Sequence, residues 1–190
     1  MSTKTEFLES KGEYFHVYNR GVSRDRIFLD DRNYTFFLER MKKFMSPALR
    51  LVAYCLMPNH FHFLTRQDEP RALSDFLGSV CKSYVMAFNI CWGRTGHLFE
   101  GKYRLKHVDE EEYLQHLTRY IHLNPVRAHL VKRPEDWVYS SCREYYGLRE
   151  DRMVYRDPIV TEFGNAENYK KFVESYAQED DLKIAKYVVW

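Results

Sequence analysis

The chain reads as an α+β protein, a ferredoxin-like sandwich in which helices cover a central, mostly antiparallel sheet. Three observations predict it. Short alternating segments and longer segments of helical spacing follow in the order strand, helix, strand, strand, helix, strand, helix. With 190 residues there is enough chain for one well-buried core and too little for two full domains. A composition of 45% hydrophobic and 29% charged residues is that of a globular protein.

Each element has its own signal. Segment 14–21, YFHVYNRG, alternates and closes on Asn-Arg-Gly, which makes it a strand with its turn. Segment 31–45 places Tyr34, Phe37, Leu38 and Met41 at helical spacing. Segment 49–56 is a second strand, Met57-Pro58-Asn59 a tight connection, and 60–65 a third strand that pairs with the second as a hairpin. Helical spacing returns over 71–90 with Leu73, Phe76, Leu77, Val80, Tyr84, Val85 and Phe88. Residues 92–96 form a loop, and 99–108 is extended and basic. Asp109 with Glu112 resembles an N-cap and its reciprocal partner, opening a helix that runs to about Leu123. Pro125 is a candidate start for a second short helix, and in that plainer reading Asn124 is its cap; in the other the first helix reaches Asn124. Beyond Trp137 the chain is acidic and Tyr-rich with no definite element. Residues 1–147 form the main domain, and 148–190 an acidic appendage to it.

Composition narrows the function classes. No apolar run approaches the roughly 18 residues of a membrane span. The start, MSTKTEFLESKGEYF, lacks the apolar core of a secretory leader, so a cytoplasmic protein without a membrane partner is expected. Cys55, Cys81, Cys91 and Cys142 lie far apart with no C-x-x-C, which argues for reduced thiols and against a thiolate zinc site. The net charge of +2 divides into +5 for residues 1–149 and −3 for residues 150–190. The basic part leans toward an anionic partner.

Two sequence features carry chemistry. In NHFHFL, His60 and His62 lie two apart on a strand, so both imidazoles stand on one face while Phe61 and Phe63 face the core. Two adjacent imidazoles are a divalent metal's first two ligands; the plainer reading is a polar strand face. In EEYLQHLTRYIHLNPVR, His116, Tyr120 and Asn124 recur every four residues on one helical face. A Tyr hydroxyl titrates near 10 and needs a nearby cation to act as a phenolate nucleophile. A metal that also binds a scissile phosphate supplies one, and the Asn124 amide is a neutral oxygen ligand suited to Mg²⁺ or Mn²⁺. Tyr113 lies seven residues before Tyr120 on nearly the same face, and spacing does not choose between them.

MPNHFHFL, followed some 60 residues later by YIHLNPVRAHLV, resembles the single-tyrosine HUH transposases. YFHVYNRG and GHLFEGKYRLKHVD match as well, and the four blocks in this order are most similar to the REP-associated tyrosine transposases, a branch of the IS200-like superfamily. The resemblance covers roughly residues 14–146. It implies metal ligands at His60 and His62, a nucleophile at Tyr120, and a third ligand at Asn124, where relatives often carry Gln. It also implies metal-dependent cleavage and joining of single-stranded DNA at hairpins of repeated palindromes, through a 5′-phosphotyrosine. Arg94, Lys102, Arg104 and Lys106, interleaved with Phe99 and Tyr103, are the expected DNA surface, with Arg20, Arg24 and Arg127 as further contacts. His116 is a reserve candidate for a phosphate contact or proton relay. The acidic appendage is expected to regulate by packing over this basic face. The alternatives are a non-catalytic hairpin-binding regulator on the same scaffold and a metallonuclease that uses water. Monomer and homodimer are both compatible with the resemblance.

Overall fold

The computed structural model describes residues 4–109, 112–150, 153–175 and 185. After a short α1 (Lys4–Leu8) the chain runs β1 (Glu13–Arg20), α2 (Asp31–Phe44), β2 (Leu49–Met57), β3 (His60–Gln67), α3 (Ala72–Trp92) and β4 (Arg104–Val108). The strands lie in the order β2-β3-β1-β4 and every pairing is antiparallel, which is the expected ferredoxin-like sheet.

The period of two along β3 divides the sheet's faces. Phe61 and Phe63 point to the side covered by α2 and α3, where Phe37 lies 5.6 Å from the Phe61 ring and Phe76 lies 6.4 Å from the Phe63 ring. Asp30 caps α2 by accepting from the Asn33 amide, and the helix buries Tyr34, Phe37 and Met41 as its spacing predicts. The opposite face receives α4 (Glu112–Arg127).

The second helix expected at Pro125 does not form, and Asn124 is not a cap. Helix α4 runs through both residues to Arg127. A proline inside a helix deprives the carbonyl four residues back, that of Ile121, of its donor. With Pro125 in the last turn the loss is confined to that one bond. The Ala128, His129 and Leu130 amides then close the end on Asn124, Val126 and Pro125. The expected Asp109–Glu112 cap lies partly outside the described residues, since 110, 111 and the Glu112 side chain are not among them.

The later segment adds α5 (Cys142–Tyr145), α6 (Asp157–Phe163) and α7 (Ala166–Glu174). Its Tyr145, Val154, Ile159, Tyr169 and Val173 belong to the same buried cluster as the sheet. It also covers the outer edge of β2, through bonds from the Leu56 amide to Tyr139, from Ser141 to Tyr54 and from Tyr155 to Leu51. A buried polar chain ties α7 to α4 and β2. Tyr169 Oη lies 2.8 Å from His122 Nδ1, and His122 Nε2 lies 2.8 Å from Ser141 Oγ, which reaches the Tyr54 backbone. β4 is left as the sheet's other edge. No helix among the described residues is long and apolar enough to cross a membrane.

Candidate active site

The face beneath α4 holds the candidate residues because strand register brings them there. Opposite His60 on β3 stands Arg20 of β1, and opposite His62 stands Tyr18. His16 follows two residues along the same face of β1, with Arg104 and Lys106 of β4 opposite Tyr18 and His16. One stripe across three strands therefore carries the histidine pair, two aromatic neighbours and a cationic flank.

The His60 and His62 rings lie 5.0 Å apart and nearly perpendicular. His60 Nδ1 donates to Asn59 Oδ1 at 2.6 Å, so in the neutral ring Nε2 carries the lone pair. His62 Nδ1 meets His16 Nε2 at 2.9 Å. Burial, with the nearby Arg20 charge, pushes His60 down to about 4. Burial, with the neighbouring imidazoles, holds His62 well below its ordinary value. Both rings are thus neutral at pH 7, the form that binds a metal.

Tyr120 approaches from α4. Its ring is buried and stands edge-on to His62, with centroids 5.7 Å apart at 85°. The Arg127 guanidinium lies 5.0 Å from the Tyr120 ring centroid. Of the two tyrosines that spacing left open, Tyr120 meets His62, while Tyr113 packs half-buried on the apolar core. One turn on, Asn124 donates its amide nitrogen to the Tyr120 carbonyl at 2.8 Å. That bond uses the nitrogen, and the oxygen is the atom with metal-binding chemistry.

This donor set fits a divalent cation of the Mn²⁺ or Mg²⁺ kind: two neutral imidazoles on a rigid strand and an amide on the facing helix. Among the described residues no group of three or more His, Cys, Asp and Glu side chains gathers for a metal. A complete shell therefore needs the amide oxygen or ligands from outside the protein.

The predicted cations divide. Arg20 is paired with Glu100 through one guanidinium edge, Nε donating to Oε2 and Nη2 to Oε1, the latter at 3.1 Å. Arg20, Arg24, Asn59 and His60 line a cavity of about 260 Å³ beside the histidine pair. The turn that carries Arg24 is clamped to the β2–β3 hairpin. Gly21 donates to Asn59, Ile27 and Phe28 both donate to the Pro58 carbonyl, and Asn59 Nδ2 donates to Arg24. A Cβ on Gly21 would strike the Asp25 carbonyl, so this clamp needs glycine. Arg20, Lys102 and Arg104 share a second hollow of about 90 Å³ with Tyr18 and Glu100. Tyr103 and Lys102 line a third, of about 540 Å³, against Leu77 and Cys81 of α3. Arg94 lies over the Phe88 ring, 5.8 Å away, in the turn after α3. His116 faces the C-terminal segment, with Arg119 Nη2 at 3.0 Å and the Phe172 ring at 5.5 Å.

Sequence reasoning missed His16 and Tyr18. The alternation in YFHVY places them on one face, but only the register shows that this face is the one carrying His60 and His62.

The family described as transposase IS200 like matches residues 11–124 of the chain. Among solved structures, a REP-associated tyrosine transposase bound to a REP hairpin is similar with a TM-score of 0.59 and 18% identity, over 82% of this chain and 98% of that one. A Deinococcus radiodurans R1 structure gives a partial likeness, with a TM-score of 0.40 and 19% identity over 57% of this chain and 87% of that one. No curated protein sequence matches the chain.

Proposed function

Because the chain belongs to the IS200-like transposase family, whose pattern spans residues 11–124, we propose that it cleaves and joins single-stranded DNA through a tyrosine nucleophile, with a divalent metal as cofactor. The observation that carries this reading is the edge-on contact of Tyr120 with His62, which unites the hydroxyl-bearing helix with the imidazole pair. His60, His62 and Asn124 would hold the cation. When bound it would withdraw electron density from the scissile phosphate and lower the charge that a phenolate must approach.

The rest of the chemistry belongs to the chain. Tyr120 Oη loses its proton to solvent and forms a bond to phosphorus, and the bond from phosphorus to O3′ breaks. O3′ leaves and takes up a proton, which gives a 5′-phosphotyrosine and a free 3′-hydroxyl. A second 3′-hydroxyl reverses the step and joins strands. The ester bond is conserved throughout, so no nucleotide cofactor is needed. Arg127 near the Tyr120 ring favours negative charge on the phenolate. Arg20 and Arg24, at the cavity beside His60, face the place where a strand's phosphates arrive.

The substrate class we assign is hairpin DNA with adjoining single strand, handled in the cytoplasm by a monomer or homodimer. The likeness to a transposase bound to a REP hairpin supports this choice. The test is incubation with Mn²⁺ or Mg²⁺ and hairpin oligonucleotides from repeats flanking the gene, read on a denaturing gel. A protein–DNA adduct that vanishes in Tyr120→Phe is expected. Cleavage that survives in Tyr120→Phe without an adduct indicates a water-using nuclease, and tight binding without cleavage a regulator; either refutes the proposal.

A further inference from the structure

We infer that His16 is a positioning residue of the metal site: its imidazole fixes the ring orientation and proton position of His62. The inference rests on the reading of His60 and His62 as metal ligands and extends it to a residue outside the ligand set.

The geometry is that of a dedicated pair. His16 and His62 are both fully buried. His16 Nε2 stands 2.9 Å from His62 Nδ1, and the ring planes differ by 13° with centroids 5.1 Å apart. Tyr18 tilts against both rings, at 5.2 Å from His16 and 6.0 Å from His62, so neither imidazole is free to rotate. One proton serves the bond between the two rings. If His62 binds a metal through Nε2, that nitrogen must present its lone pair and the proton must sit on Nδ1. Nδ1–H then donates to His16 Nε2, which places the remaining proton of His16 on its own Nδ1. His60 is held in the same form by another acceptor, Asn59 Oδ1. Both ligands are thus oriented by a partner at Nδ1, the arrangement that makes an imidazole a good metal donor. In His62 the acceptor is a neutral ring and not a carboxylate, so the site gains orientation without an anion. A bound cation would then not be opposed by a carboxylate at this position.

The readout is Mn²⁺ affinity in the absence of DNA, measured by titration calorimetry on the full chain. His16→Phe keeps a ring and removes the acceptor. His16→Gln offers an amide oxygen at about the reach of Nε2. His16→Phe is expected to weaken Mn²⁺ binding by about 10- to 100-fold, and His16→Gln to restore most of it. Unchanged Mn²⁺ affinity in His16→Phe overturns the inference and leaves the metal reading standing. Wild-type protein that takes up no Mn²⁺ overturns both. Nitrogen-15 spectra of the metal-free wild type give a second check that needs no variant. A His62 proton on Nδ1 supports the inference, and one on Nε2 refutes it even if His16→Phe fails to fold.

Discussion

Replacing Tyr169 by Phe removes one oxygen from a fully buried position and tests whether the C-terminal segment is part of the fold that holds α4, the helix that carries Tyr120. Protons can be assigned along the buried chain so that every group is satisfied. Tyr169 donates to His122 Nδ1, His122 Nε2–H donates to Ser141 Oγ, and Ser141 donates to the Tyr54 carbonyl. Tyr169→Phe therefore leaves a buried imidazole lone pair without its donor. A net hydrogen bond contributes about 1 kcal/mol, and leaving the buried partner unsatisfied costs about 1–3 kcal/mol. The second case applies here, so the expected destabilisation is about 1–3 kcal/mol. For a chain of this size that lowers Tm by about 2–12 °C. The ring itself still packs against Tyr145 at 4.9 Å and Phe163 at 5.3 Å, so the urea m-value should not change. Calorimetric and urea melts of the two proteins measure the difference. A Tm within about 1 °C of wild type would show that the hydroxyl contributes little and that α7 is not fastened in this way.

Truncation after Gly147 removes Val154, Ile159, Tyr169 and Val173 from the shared core, so circular dichroism should show loss of cooperative folding; a folded truncation with raised cleavage would refute this and favour a regulatory tail. Burial holds His122 down to about 3 in the folded protein, against an unfolded value near 6.5. The unfolded chain thus takes up a proton that the folded one does not, and stability falls as pH drops from about 6.5 toward about 3. At about pH 4.5 the loss from this group is about 2–3 kcal/mol, and urea melts of His122→Leu against wild type should show a correspondingly shallower acid slope. Glu100→Gln releases Arg20 from its partner and should tighten hairpin binding at low salt. Lys106→Gln should weaken hairpin binding and reduce the salt slope by about 0.7–0.9 per lost phosphate contact; titrations at several salt concentrations check both.

The elements that the sequence showed clearly were those whose period matches their surroundings. Phe61 and Phe63 alternate with His60 and His62, so the strand, its apolar face and its polar face were all readable from four residues. Tyr34, Phe37 and Met41 marked α2 in the same way. Pro125 misled because local chemistry favours proline at a helix start, and only the tertiary setting tolerates it in the last turn of α4. The C-terminal helices were hidden by their composition. Tyr169 and Val173 are the buried positions of a nine-residue helix otherwise rich in charge, too short for a period to stand out. His16 was invisible for a different reason. Its role depends on which strand lies beside β1, and β1 pairs with a strand more than 40 residues away in sequence.

The two edges of the sheet carry different risks. The edge at β2 is covered by backbone bonds from residues 139–155, whereas β4 is the terminal strand on the other side. A bare strand edge invites pairing with a second molecule, and charged side chains are a common deterrent. β4 carries Arg104 and Lys106 on its five residues, so the cations proposed to meet DNA would also discourage copies of the chain from adding to the sheet at this edge. Neutralising them in search of a DNA contact therefore weakens two properties at once. A variant that loses hairpin binding must be shown to be monodisperse before that loss is assigned to phosphate recognition.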